Sequence, residues 1–251
     1  MVQQAEIPAI KALGLSKHFG ACTAVDNISF EVSPGEIFGF LGANGAGKTT
    51  AMRMLCGLSR PSSGNATVAG YDVSTQPEQV KRSIGYMSQR FSLYEDLTVA
   101  ENIRFFAGIY GLTLTEIRER SDTLIGTLGL KGEQHKLVRS LPLGWRQKLA
   151  FSVALIHQPR IVFLDEPTGG VDPLTRREFW EMIYQASNLG TTVFVTTHYM
   201  DEAEYCHRVS VMVDGAIAAL GTPAALKKQF GVQSMNDVFL QLARNAQRSA
   251  D

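Results

Sequence analysis

The chain has 251 residues, 45% hydrophobic and 19% charged, and its 24 Lys+Arg balance 24 Asp+Glu to a formal net charge of zero. At this length roughly three quarters of the unfolded chain's surface can be buried, so a core forms without disulfide or metal staples. The zero balance argues against nonspecific nucleic-acid binding, which needs surplus cations, and leaves solubility weak near neutral pH, as suits a chain that sits against a partner.

Met1 to Pro8 has no basic region followed by an apolar run, so no secretory signal is expected and the chain is assigned to the cytosol. Strands are predicted at Ile10 to Leu15, Ile28 to Val32 and Ile37 to Leu41. The third runs straight into Gly42-Ala43-Asn44-Gly45-Ala46-Gly47-Lys48-Thr49, which matches G-x-x-x-x-G-K-[ST]. Glycines let backbone N–H groups converge on phosphate oxygens, and a helix after the loop turns its positive dipole end to the same anion. That helix is legible, with Ala51, Met54, Leu55 and Leu58 spaced to face the sheet. Lys48 is then expected to reach the β- and γ-phosphates of a nucleotide, and the Thr49 hydroxyl to ligate Mg²⁺.

Further strands are predicted at Ala66 to Ala69 and Ile84 to Met87. Between Gln89 and Gln158 the pattern turns helical, at Val99 to Tyr110, Leu114 to Leu128 and Trp145 to His157, as an all-helical insertion in an α/β domain. The apolar run Ile161 to Leu164 follows and ends in Asp165-Glu166. A buried strand of this kind delivers carboxylates to the carboxyl edge of a parallel sheet, where ligands bind. Asp165 can hold Mg²⁺ through water, and Glu166 can orient and deprotonate an attacking water.

After a strand at Val193 to Thr196, the segments Arg208 to Val213 and Ala216 to Leu220 flank Asp214-Gly215, a two-residue hairpin signal. Gly221, Thr222 and Pro223 break the chain before a last helical stretch, and the tail from Asn245 to Asp251 is expected to fray. The apolar runs are far short of the roughly 20 residues that span a bilayer. Cys22, Cys56 and Cys206 are widely spaced and contain no C-x-x-C pair, so neither a disulfide framework nor a zinc site is indicated.

Together, from about Ile10 to Leu226, these residues resemble the nucleotide-binding subunit of ABC transporters. The resemblance implies an α/β P-loop NTPase (RecA-like) core with an antiparallel β subdomain and an inserted α-helical subdomain. The core takes 1–89 and 158–222, the helical subdomain 90–157, and a C-terminal helical tail 223–251. It implies ATP and Mg²⁺ bound by Gly42, Asn44, Gly45, Ala46, Gly47, Lys48, Thr49 and Thr50. Phe19 falls where the family stacks an aromatic on adenine, although tyrosine is commoner there. Gln89 matches the hinge glutamine that touches Mg²⁺ or the attacking water, His198 the histidine that contacts the γ-phosphate, and Asp172 the loop that crosses between subunits.

One motif departs from the family. Where Leu-Ser-Gly-Gly-Gln is expected, the chain has Leu141-Pro142-Leu143-Gly144-Trp145, followed by a well-matched Arg146-Gln147-Lys148-Leu149. In the family this loop clamps the γ-phosphate held by the opposite subunit. Pro142 offers neither hydroxyl nor N–H, and Leu143 adds bulk where glycine allows close approach.

Asp96-Leu97-Thr98-Val99-Ala100-Glu101-Asn102 and Asp201-Glu202-Ala203-Glu204 look most like the ABC-2-type multidrug-exporter branch, some of whose chains carry two such domains in tandem. The implied partners are a second nucleotide-binding domain and an ABC-2-type membrane permease on the cytoplasmic face of the cell membrane, with no nucleic acid. Phe91, Leu93, Tyr94 and Leu97 could line a groove for a short helix of that permease. The alternative, a soluble ABC ATPase acting on DNA or ribosomes, calls for a long coiled-coil insertion or two domains joined by a basic linker. Neither is present in the sequence. A GTPase or small-molecule kinase calls for a guanine-reading Asn-Lys-x-Asp or an acceptor-substrate lid; the first is absent, and the 89–158 insertion fits the ABC helical subdomain better.

Overall fold

The computed structural model describes residues 7–89 and 93–250, the last six as backbone. Strands β1 (Ile10–Phe19) and β2 (Cys22–Val32) form a hairpin that leads to β3 (Ile37–Leu41) and helix α1 (Lys48–Leu55). Next come β4 (Ser63–Val68), β5 (Tyr71–Asp72), α2 (Pro77–Ser83) and β6 (Ile84–Met87). Three helices follow, α3 (Val99–Ile109), α4 (Leu114–Thr127) and α5 (Leu143–Ala154). The chain then returns to β7 (Ile161–Asp165), α6 (Pro173–Asn188) and β8 (Thr192–Thr197). The hairpin β9 (Arg208–Val213) and β10 (Ala216–Gly221) precedes α7 (Pro223–Phe230) and α8 (Met235–Ala250).

Two sheets result. One is antiparallel, in the order β2-β1-β4-β5; the other runs β10-β9-β3-β8-β7-β6. In the second sheet β9, β3, β8, β7 and β6 pair in parallel and β10 joins antiparallel at the edge. The predicted Asp214-Gly215 turn closes that hairpin with φ of 47° and 83°, the positive pair a two-residue hairpin turn requires.

Both faces of the parallel sheet are covered, so its strands are apolar throughout, yet period-2 alternation still sorts them. Phe38, Phe40, Ile161, Phe163 and Phe194 face α1 and the antiparallel sheet. Ile37, Leu41, Val162, Leu164, Val193 and Val195 face the layer that holds α5 and α6. Phe194 centres the first face, with ring centroids of Phe40 and Phe163 at 5.3 Å and Phe38 at 5.7 Å. This buried aromatic block sits beneath the strand ends that carry the polar residues of the site.

Local chemistry sets the helix starts. Thr98 with Glu101 and Thr113 with Glu116 form reciprocal capping boxes on α3 and α4. The expected α1 face is corrected at its end: Gly57, with φ 66°, stops the helix, and Leu58 leaves the core at 51% exposure. Helix α5 begins two residues earlier than expected, at Leu143, because Pro142 is accommodated at its N-cap. Helix α8 continues to Ala250 through the segment expected to fray.

Candidate nucleotide site

The loop between β3 and α1 builds one wall of a cavity of about 250 Å³, lined by Asn44, Gly45, Gly47, Lys48, Thr49, Thr50, Ala24, Gln89 and Glu166. Gly47 has φ 98°, and a Cβ there would run into the Ala24 carbonyl, so this position needs glycine on both conformational and steric grounds. The first intrahelical bond of α1 runs from Ala51 N–H to the Gly47 carbonyl at 2.9 Å. The N–H groups of Lys48, Thr49 and Thr50 precede it and form the positive end of the helix.

Lys48 is buried, with 4% of its side chain exposed, and its ammonium is held at 2.8 Å from the Gly42 carbonyl and 3.0 Å from that of Ala43. Glu166 Oε1 lies 3.5 Å away. Burial lowers the Lys48 pKa below the ordinary lysine value, against the pull of Glu166 and Asp165. Gly42 and Ala46 underlie the loop and are not among the residues lining the cavity.

Asp165 ends β7 with 2% exposure, and its Oδ1 accepts from Thr196 Oγ1 at 2.6 Å and from Thr49 Oγ1 at 3.2 Å. Burial raises its pKa and the two hydroxyl bonds oppose the rise. Residues 116 apart in sequence thus present a hydroxyl and a carboxylate side by side, an oxygen pair suited to a hard cation.

Glu166 is the hub. Its Oε2 accepts from Gln89 Nε2 at 2.8 Å and meets His198 Nδ1 at 3.0 Å, while its N–H donates to Thr196. The residue has φ 49°, an uncommon backbone state for a non-glycine that is consistent with a position over-determined by its neighbours. Lys48, Gln89 and His198, from three separate segments, therefore converge on one carboxylate. Thr196 and Ala24 carry no motif of their own; an alternating reading of β8 is the one signal that could have paired Thr196 with Asp165.

Other predicted residues lie apart. Phe19 is 57% exposed on the β1–β2 hairpin, with Lys17 Nζ 5.1 Å from its ring centroid, and is not part of the cavity lining. Pro142, Leu143, Gly144 and Asp172 line a different cavity, of about 310 Å³, where α5 and α6 begin. Asp172 caps α6, accepting from the N–H groups of Leu174 and Thr175 at 3.0 Å, and its bonds to Thr175 lower its pKa. A Cβ on Gly144 would come within 2.5 Å of Thr175 Cγ2, so glycine here allows the two helix starts to touch. Gln147 Nε2 adds a bond to the Gly169 carbonyl at 3.1 Å.

Of the groove residues expected after Gln89, Phe91 lies outside the described residues. Leu93 is 5% exposed in the core, whereas Tyr94 is 52% exposed and packs edge-on to Phe105 at 5.0 Å. Buried Asn102 pins this stretch, exchanging bonds of 2.8 and 2.9 Å with the Tyr94 backbone. No helix among the described residues is long and apolar enough to cross a membrane.

Comparison with known proteins agrees with the fold. The chain is 48% identical over 238 residues to the probable multidrug ABC transporter ATP-binding protein YbhF of Escherichia coli K12, covering 93% of this chain but 41% of that protein. It is 38% identical to the daunorubicin/doxorubicin resistance ATP-binding protein DrrA of Streptomyces peucetius, covering 89% of this chain and 68% of that one. A solved ATP-binding subunit of an ABC transporter superposes with a TM-score of 0.84 at 28% identity, covering 93% of this chain and 99% of its own. The chain thus spans about two fifths of YbhF and about two thirds of DrrA. The ABC transporter family model matches residues 25–169, and the chain belongs to that family as an ATP-binding domain.

Proposed function

We propose that the chain hydrolyses ATP with Mg²⁺ in a dimer of nucleotide-binding domains and that this powers a separate membrane permease, for export of drugs or other small molecules. The observation that carries the reading is the convergence of Lys48, Gln89 and His198 on Glu166 beside the N-terminus of α1. The donor set also fits the cation. Among the described residues no group of three or more His, Cys, Asp or Glu could hold a metal. Mg²⁺ commonly takes one or two protein oxygens and completes its shell with phosphate and water. Thr49 and Asp165 would hold it, with Gln89 lining the same cavity as Thr49, and when bound it would supply positive charge to the phosphates.

Glu166 acts as general base: its carboxylate takes a proton from water as the water oxygen bonds to the γ-phosphorus and the bond to the β–γ bridging oxygen breaks. Lys48 and the N–H groups of α1 face the phosphate charge, and Phe19 offers its exposed ring to adenine. His198 and Gln89 hold the carboxylate in position. We assign 1–89 and 158–222 to the nucleotide-binding core, 90–157 to a helical subdomain and 223–251 to a helical tail. The groove lined by Cys56, Leu58, Ile109 and Tyr110 together with Glu78, Lys81 and Arg82 of α2 would receive the ABC-2-type permease on the cytoplasmic face of the membrane. The drug-resistance relatives support export over the alternative of an ATPase acting on DNA or ribosomes.

Pro142, Leu143, Gly144 and Asp172 would face the nucleotide of the second subunit. Each charge-assisted bond missing at Pro142 is worth roughly 1.5 to 3 kcal/mol, enough to shift dimer closure by about tenfold or more, and the bulk of Leu143 opposes close approach as well. Pro142→Ser with Leu143→Gly, made in a Glu166→Gln background so that ATP is not consumed, should increase ATP-induced dimerisation measured by light scattering. No increase with ATP binding intact would remove this loop from the interface.

A further inference from the structure

His198 meets Glu166 through one contact at 3.0 Å and is only partly buried, with 31% of its side chain exposed. A half-exposed imidazole has rotamer freedom that a single hydrogen bond does not remove, so something else must hold the ring. The next residue supplies that restraint. The Tyr199 ring centroid lies 4.1 Å from that of His198, the two rings tilted by 37°, and the Arg176 guanidinium carbon stands over the Tyr199 ring, 4.5 Å from its centroid. Stacking of a guanidinium on an aromatic face combines dispersion with the attraction of the ring quadrupole for a cation.

Arg176 is itself anchored. It lies in the first turn of α6, its N–H bonded to the Asp172 carbonyl at 3.0 Å, and its Nε is 3.6 Å from Glu202 Oε1. Glu202 is fully buried, and the same oxygen accepts from Thr168 Oγ1 at 2.5 Å. Thr168 is two residues beyond Glu166, so the contacts close on themselves: from Glu166 to His198, Tyr199, Arg176, Glu202, Thr168 and back along the chain. A closed ring of contacts fixes each member more firmly than an open chain of the same pairs.

We propose that Tyr199 is a positioning residue, clamped by Arg176, that holds the His198 ring on Glu166 and ties it to the loop from Thr168 to Asp172. The proposal rests on the reading of Glu166 as the base, and it extends that reading to residues outside the nucleotide cavity. The tyrosine hydroxyl makes none of these contacts; the ring makes them. Tyr199→Phe therefore keeps the clamp and Tyr199→Leu removes it.

Two measurements test this. In the nucleotide-free protein, the ¹⁵N shifts of the His198 ring should report one fixed tautomer in the unsubstituted chain and in Tyr199→Phe, and an averaged mixture in Tyr199→Leu. In steady-state hydrolysis, Tyr199→Leu should lower kcat by about 10- to 100-fold with KM for ATP within about twofold. Tyr199→Phe should recover the loss. In a His198→Ala background Tyr199→Leu should add nothing, because its effect passes through the histidine.

Should Tyr199→Leu fail to fold, Arg176→Lys keeps the charge facing Glu202 while losing the guanidinium over the Tyr199 ring, and should give the same averaged tautomer and a lower kcat. An unchanged His198 tautomer in whichever variant folds overturns the proposal. So does a kcat loss that persists in full in the His198→Ala background. If His198 is held as described but Glu166→Gln leaves turnover unchanged, the failure belongs to the assignment of the base and not to the clamp.

Discussion

Replacing Glu166 by glutamine should leave ATP binding intact and lower turnover at least ~100-fold. The amide keeps the size of the carboxylate and can still meet His198 and Gln89, so the cavity keeps its shape. It cannot take a proton from water. The neighbours sharpen the expectation: the side chains of Lys48, Gln89 and His198 and the oxygens of Thr196 restrain this one residue, which sits at φ 49°, and among the described residues no other carboxylate lines the cavity. Asp165, the preceding residue, is also a carboxylate, but its Oδ1 is engaged by Thr196 and Thr49. Unchanged turnover in a phosphate-release assay would mean that another group orients the water.

Lys48→Ala should abolish tight MgATP binding in a fluorescence titration. The substitution removes the cation facing the phosphates and leaves the Gly42 and Ala43 carbonyls, which hold the ammonium at 2.8 and 3.0 Å, without their donor. It also strips the positive neighbour from Glu166, so two carboxylates would confront the incoming anion alone. Near-normal affinity would count heavily against the nucleotide site as drawn. Unlike Glu166→Gln, this change acts on binding before chemistry, and the pair of variants separates the two.

Much of this was legible because several decisive groups are neighbours in sequence. The phosphate loop announces itself since glycine is the residue that tolerates the backbone angles and the close approach at Gly47. Strands Ile37–Leu41, Ile84–Met87 and Arg208–Val213 match their expected bounds because burial on both faces, or a strong turn, limits them. Strand β1, by contrast, runs to Phe19 and past the predicted Leu15, since pairing with β2 extends it through polar Lys17 and His18. Short β5 and helix α2 carry too little apolar periodicity to be read without their partners. Helix α6 is not among the expected elements, although Asp172-Pro173 is a good start signal. The Thr196 to Asp165 bond and the Arg176 to Tyr199 stack join residues more than twenty apart. Only the folded sheet edge brings them together.

The burial of Lys48 has a consequence for proton exchange with solvent. Desolvation lowers its pKa, whereas bound phosphate stabilises the charged ammonium and must raise it again. Binding of nucleotide is therefore linked to proton uptake once the pH approaches the pKa of the free protein's lysine. Affinity should weaken with rising pH earlier than it would for an exposed lysine, because the free site has then begun to lose the charge that the ligand needs. The buried position that aims this ammonium so closely also makes its charge the more sensitive to alkali.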